Sequence, residues 1–230
     1  TVTELNGSGV IKRDDNVVGD QTGTSIESMD VAITEKGKMR IDFIDDTRVD
    51  VIDHSRVVID EFVYDPNTKS GSLSIKASLG AVRYASGQIA KNSRQNVRVR
   101  TPTATISVRG TDFIMLVDEI GGSMVTLLPS CDFDPKTQET ACITGEISVE
   151  TDTGFVVMNQ AFQTTMVKSR WAKPTPPVIL GLDESQINGL LIVRRKSPYI
   201  EALEAQEDRE ALTDFLGVDF LEFDGLDENA

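Results

Sequence analysis

The sequence predicts a mainly β protein carrying a short C-terminal helical tail. Three observations predict it. Short runs alternate apolar and polar residues at period two from about residue 7 to residue 168, the pattern of half-buried strands. Turn-forming residues interrupt those runs at close intervals. A proline-rich break at 173–177 then gives way to apolar residues at helical spacing. The expected organisation is an all-β domain over 1–170, a linker over 171–182 and an acidic helical tail over 183–230.

The early strands are expected at 39–43, 48–52, 56–59, 73–75 and 97–100, with turns at 35–38, 65–67 and 70–72. Later ones follow at 105–108, 113–117, 124–128, 146–150 and 155–158. The run from Leu79 to Ala90 is the one competitor for a helix before residue 168, and Gly80 and Gly87 argue against it. Lys173-Pro174-Thr175-Pro176-Pro177 is expected to be stiff and extended, lacking several backbone donors. Beyond it, Asp183 is a candidate N-cap for a helix from Glu184 to Val193, and Ser197-Pro198 opens a second helix. Leu203, Leu212, Phe215 and Leu216 fall near one face of that helix, and Phe220 and Phe223 form an apolar plug among acids. These six residues are the predicted partner-binding set.

Composition narrows the function classes. The hydrophobic content of 39% is enough for a core, and the low aromatic share places that core on Val, Ile and Leu. No apolar run approaches the roughly 18 residues of a membrane helix, so no membrane insertion is expected. The net charge is −14, and its distribution is uneven. From Ile200 onward eleven acids face one base, Arg209, whereas the first 199 residues hold 26 acids and 22 bases. A phosphate track needs clustered Lys and Arg, so nucleic acid is an unexpected partner. The one basic stretch, Lys91 to Arg100, alternates as an exposed strand face does. Its charge is expected to be solvated.

Cys131 and Cys142 bracket the turn-rich run Asp132-Phe133-Asp134-Pro135-Lys136, itself flanked by strand-like sequence. A hairpin there brings both sulfurs within disulfide reach. A pair of reduced thiols is the alternative. Zinc is disfavoured, because two sulfurs without a neighbouring histidine cannot complete a tetrahedral site. A bridge points to a periplasmic, extracellular or virion-surface setting.

Catalytic and cofactor chemistry is not expected, so the protein is read as a non-enzyme with no cofactor and no metal. Asp53-His54-Ser55 has the residue types of a triad, but adjacent strand residues point to opposite faces. Asp14-Asp15, Asp45-Asp46 and Asp118-Glu119 lack the spacing of a calcium loop. Gly7-Ser8-Gly9 is too short for a phosphate loop. Trp171 is expected to pack against the edge of the core.

The most specific stretch runs Thr101-Pro102-Thr103-Ala104-Thr105-Ile106-Ser107-Val108-Arg109-Gly110-Thr111-Asp112-Phe113. A strand enters after a proline, meets Arg-Gly-Thr and resumes at once, so Gly110 marks a bulge, a bend or a close backbone approach. Arg109 and Asp112 are placed to pair across that bend. This stretch resembles the hallmark of FecR-domain proteins. The run Ile41 to Val49 with Ser55, the Leu79-Gly80-Ala81-Val82 segment, and Gly145 to Val149 with Gly154 and Phe162-Gln163-Thr164 are similar to the flanking parts of that family. Asp46 stands where the family commonly has glycine, which implies a strained or reshaped turn.

The resemblance covers about residues 7 to 168. It implies an all-β domain coiled as a roll or solenoid, or a sandwich, with no enzymatic chemistry. Its founding members are membrane-spanning regulators that relay occupancy of an outer-membrane iron transporter to a sigma factor. This chain departs from them in its acidic tail, and as a whole it resembles free-standing FecR-like proteins of tailed phages of marine bacteria. The leading expectation is therefore a structural or interaction protein of a larger assembly, such as a virion. Its partners are then copies of itself or other subunits. The alternative is a periplasmic sensor domain of the iron-signalling type.

Overall fold

A computed structural model describes residues 1–14, 16–93, 95–134, 139–182 and 193–194, all within one unit, Thr1–Arg195. Residues beyond 195, with the second predicted helix and the partner-binding set Leu203, Leu212, Phe215, Leu216, Phe220 and Phe223, lie outside the described residues. So does most of the first predicted helix.

The chain opens with β1 (Val2–Arg13), β2 (Asn16–Gly19), β3 (Val31–Asp42), β4 (Arg48–Val51), β5 (Arg56–Asp65) and β6 (Ser70–Ala85). A one-turn helix, α1 (Gln88–Asn92), precedes β7 (Val97–Arg100), β8 (Thr105–Arg109), β9 (Asp112–Val117) and β10 (Ser123–Leu128). Next come β11 (Ser130–Asp134), β12 (Glu139–Ile143), β13 (Glu146–Thr151), β14 (Gly154–Met158), β15 (Gln163–Val167), β16 (Val178–Ile179) and β17 (Val193–Arg194). The mainly β expectation holds. Alternation works as the sequence implied: in β7 the valines are buried while Arg98 and Arg100 are exposed, and β8 and β13 alternate likewise.

The sixteen-residue β6 organises the architecture. Its first half pairs with β5 and, in parallel, with β7; its second half pairs with β4 and β9. One strand thereby belongs to two rows. The first continues through β7, β8, β13 and β14, and the second through β9, β10, β15 and β16. β3 is shared in the same way between β4 and β5 while pairing along its length with β1. The inward residues of both rows form one core. Leu73, Ile75, Val97, Val99, Ile106 and Ile147 come from one row, and Val49, Val82, Met115, Val125 and Leu127 from the other. Tyr84 and Phe113 stack within it, ring centroids 5.1 Å apart.

Several expectations are corrected. Glu35-Lys36-Gly37-Lys38 is not a turn: it lies inside β3, where Gly37 faces Gly7 of β1 across a register shift. Two glycines meeting there let the backbones approach closer than any side chain permits. Ser70-Gly71-Ser72 is the start of β6, since the hairpin needs only the turn after Asp65, where the carboxylate accepts from Asn67 N and Thr68 Oγ1. Helix is not confined to the tail, because α1 docks on the core through buried Ile89 and Ala90. Val193, expected to end a helix, instead lies with Arg194 in a short strand parallel to β11, Val193 opposite Cys131 and Arg194 opposite Asp132. The proline segment is extended, yet it is laid against β15: Thr175 N donates to Met166 O, and β16 pairs with Gln163 and Thr164. Trp171 is 70% exposed, with the Arg170 guanidinium over its ring rather than the core beneath it.

Candidate functional site

The hallmark stretch forms a corner, and its polar groups hold that corner together. Thr101 Oγ1 accepts from Ala104 N at 3.0 Å and Thr103 N at 3.3 Å, closing the turn that Pro102 opens. Thr103 Oγ1 and Ser123 Oγ lie 2.7 Å apart, and Ser123 Oγ also donates to Thr101 Oγ1 at 2.7 Å. This buried hydroxyl cluster ties the corner to β10. Gly110 has φ +65°, as a tight return requires, but the nearest atoms to an added Cβ lie 3.9 Å away. Conformation, not close approach, is what demands glycine there. Thr111 Oγ1 donates to Leu128 O at 2.9 Å. Asp112 is buried and accepts from Ser86 N at 2.9 Å and Ser130 Oγ at 2.6 Å. The expected Arg109–Asp112 pair does not form, because consecutive strands turn the two side chains apart. Arg109 instead reaches Glu146 of β13 at 2.5 Å. Phe113 is buried under Tyr84.

The turn before β4 contains a second buried carboxylate, Asp45, which the sequence raised only as one of an acid pair lacking calcium-loop spacing. Asp45 accepts from Thr47 N and Oγ1 and from Ile89 N, linking the turn to α1. Burial pushes its carboxyl up despite those hydrogen bonds. Asp46 has φ +66°, the left-handed conformation that accounts for glycine at this place in the resembled family. The Asp45-x-Thr47 spacing was the available signal for a side chain closing its own turn. His54 is exposed at a left-handed turn, φ +52°, rather than at a strand end. Its neighbour Ser55 is buried and clasps Ala81: Ala81 N donates to Ser55 Oγ at 2.9 Å, and Ser55 Oγ lies 3.2 Å from Ala81 O. Asp53, His54 and Ser55 thus form no relay.

Cys131 and Cys142 face each other directly in the β11–β12 ladder and are bridged, with Cα atoms 4.1 Å apart. The loop they close is short, so its stabilisation is roughly 2–3 kcal/mol.

The outward face of the second row is the remaining place with functional character. At one end, charged residues interlock across three strands. Arg40 holds Asp50 through two bonds of 2.7 and 3.1 Å and Glu4 at 2.8 Å, while Lys38 reaches Asp50 at 3.1 Å. Arg48 holds Asp42 in the same two-pronged manner. Burial works against the Asp50 carboxylate, but the hydrogen bonds and charge of Arg40 and the charge of Lys38 outweigh it, so Asp50 titrates below its ordinary range. At the other end the face is apolar, with Leu116 42% and Met166 49% exposed. Arg83 stands at the seam. No group of three or more metal-ligating side chains occurs among the described residues.

Comparison with known proteins gives one family and a loose structural likeness. The model of the FecR protein family matches residues 29–129. No curated protein matches the chain. Two crystal structures of a "putative anti-sigma factor" from Parabacteroides distasonis, at 1.65 and 2.50 Å, are each 15% identical with a TM-score of 0.42. Each alignment covers 64% of this chain and 56% of the other, so the chain spans little more than half the length of those proteins. A likeness of that degree carries no conclusion about activity. The match to the family model begins just before β3 and ends just after β10, taking in the clasp at Ser55, the Asp45 turn, β6 and the whole hallmark corner. Over residues 29–129 the chain is thus similar to the FecR protein family.

Proposed function

We propose that this chain is a non-enzymatic, extracytoplasmic interaction domain that relays a signal by contact with another protein, in the manner of FecR-type sensors. The FecR match over residues 29–129 carries this reading. Two features support it. The polar groups of the hallmark corner are engaged in holding strands together, which suits a scaffold better than a catalyst. The bridged Cys131–Cys142 pair suits an oxidising setting, periplasmic or extracellular. The family match favours this sensor reading over the virion component that the resemblance to phage FecR-like proteins suggested. Within it, Leu203, Leu212, Phe215, Leu216, Phe220 and Phe223 are the proposed tail contribution to partner binding.

Fractionation of the native source tests the proposal. The chain is expected in the periplasmic or surface fraction. Mass spectrometry without reductant should find the peptides of Cys131 and Cys142 linked. Recovery from the cytosol with two alkylatable thiols, or sedimentation in many copies with phage particles, overturns it.

A further inference from the structure

The outward face of β6, β9, β10 and β15 is a row of apolar side chains ending beside a cation, Arg83, that forms no ion pair among the described residues. Register fixes the row: Ala81 lies opposite Leu116, Leu116 opposite Met124, and Met124 opposite Met166. Four strands at sheet spacing make it about 15 Å long. Leu116 and Met166 are exposed, and Met124 is half-buried. Methionine in such a row adapts to the shape of what covers it.

Arg83 lies on the same face, opposite Ile114 on one side and Asp50 on the other. Asp50 is already taken up by Arg40 and Lys38. The charged end of the face holds Lys38, Arg40, Arg48 and Arg83 against Glu4, Asp42 and Asp50, so one cation is in surplus. Arg83 is that cation. It is half-buried, its Nε is sealed from solvent without an acceptor, and it has no ion pair among the described residues. A poorly solvated guanidinium gains from a carboxylate brought to it in a fixed, two-pronged geometry.

We propose that this face docks an extended segment of another protein that presents an acidic side chain between apolar ones. The acid pairs with Arg83, and the apolar residues cover Leu116, Met124 and Met166. The hollows lined by Arg13 and Glu27 and by Gly7 and Glu35 lie elsewhere. This deepens the protein-contact reading by naming the class of partner, and it rests on that reading.

A random peptide library selected on the immobilised full chain tests it. The expected binders carry Asp or Glu flanked by Leu, Ile, Met or Phe. With a synthetic peptide of the winning sequence, Arg83→Gln and Met166→Ser should each weaken binding about tenfold or more. Val157→Ser, on exposed β14, should leave binding unchanged. Added salt should weaken wild-type binding more than that of R83Q. Because Arg83 has no ion pair to lose among the described residues, R83Q should melt with the wild type, which separates lost binding from lost folding. Winners without an acidic bias, R83Q binding within twofold of wild type, or a loss confined to Val157→Ser would each overturn the proposal. So would a wild-type dimer abolished by Met166→Ser, since the occupant would then be a second copy. These outcomes read the surface alone, whereas cell fraction and bridge state read the relay function, so failure of one is distinguishable from failure of the other.

Discussion

At Gly80 the chain passes through φ +88° with Ser55 Cα 2.6 Å and His54 O 2.7 Å from where a Cβ would stand. Gly110 has φ +65° with only ordinary contacts, 3.9 Å and beyond, around where a Cβ would stand. The two glycines are therefore required for different reasons, and substitution separates them. Gly110→Val pays backbone strain only, about 1–3 kcal/mol. Gly80→Val adds a collision with backbone that cannot move aside and should cost about 4 kcal/mol or more. Thermal melts of the two variants check the order; equal losses would mean that Ser55 does not clasp this strand as described. Glycine at both places was legible in the sequence, and so was the unusual turn at Asp46. Which glycine meets a neighbour was not legible, because the neighbour is some 25 residues away in the chain and is brought there only by β-pairing.

Between elements, the interlocked charges of β1, β3 and β4 do what an apolar face does elsewhere. Asp50 is fully buried yet lies on the outward face, held by Arg40 and Lys38, which remain about a quarter exposed. Removing one partner of such a pair leaves the others uncompensated, but their exposure softens the loss. Asp50→Asn should thus destabilise the protein by about 2 kcal/mol at neutral pH. The folded-state pKa of Asp50 is depressed, so its contribution is present above the ordinary value of 3.8 and is lost as pH falls through the lower folded value. The gap between wild type and D50N in urea melts should accordingly hold at neutral pH and close below about pH 4. A constant gap down to acid pH would assign the effect to packing instead. Strand alternation made the valines of β7, β8 and β13 readable as core. It gave no warning of β3 running straight through Glu35-Lys36-Gly37-Lys38, where four turn-prone residues are overruled by pairing with β1. The burial of Asp50 was not legible for the same reason: its cations come from another strand.

For the whole molecule, the features that matter most are long-range. β6 serves two rows, β7 lies parallel to it after the α1 crossover, and β13 returns to pair with β8 across nearly forty residues. Local pattern predicts strands but not which strand lies beside which, so the shared core and the row from Ala81 to Met166 could not be read in advance. The cysteine pair was readable, because a hairpin needs only its own turn. At this scale the corner residues are committed to the fold, and the outward face is the proposed contact surface. The most direct measurement is native mass spectrometry of the chain isolated with its bound proteins after mild cross-linking of intact cells. One copy of this chain with one copy of a second protein is expected, with cross-links that include Lys38 beside the charged end of the outward face. A large assembly built from many copies of this chain, or cross-links only among such copies, would contradict a domain that signals by contact with a different protein.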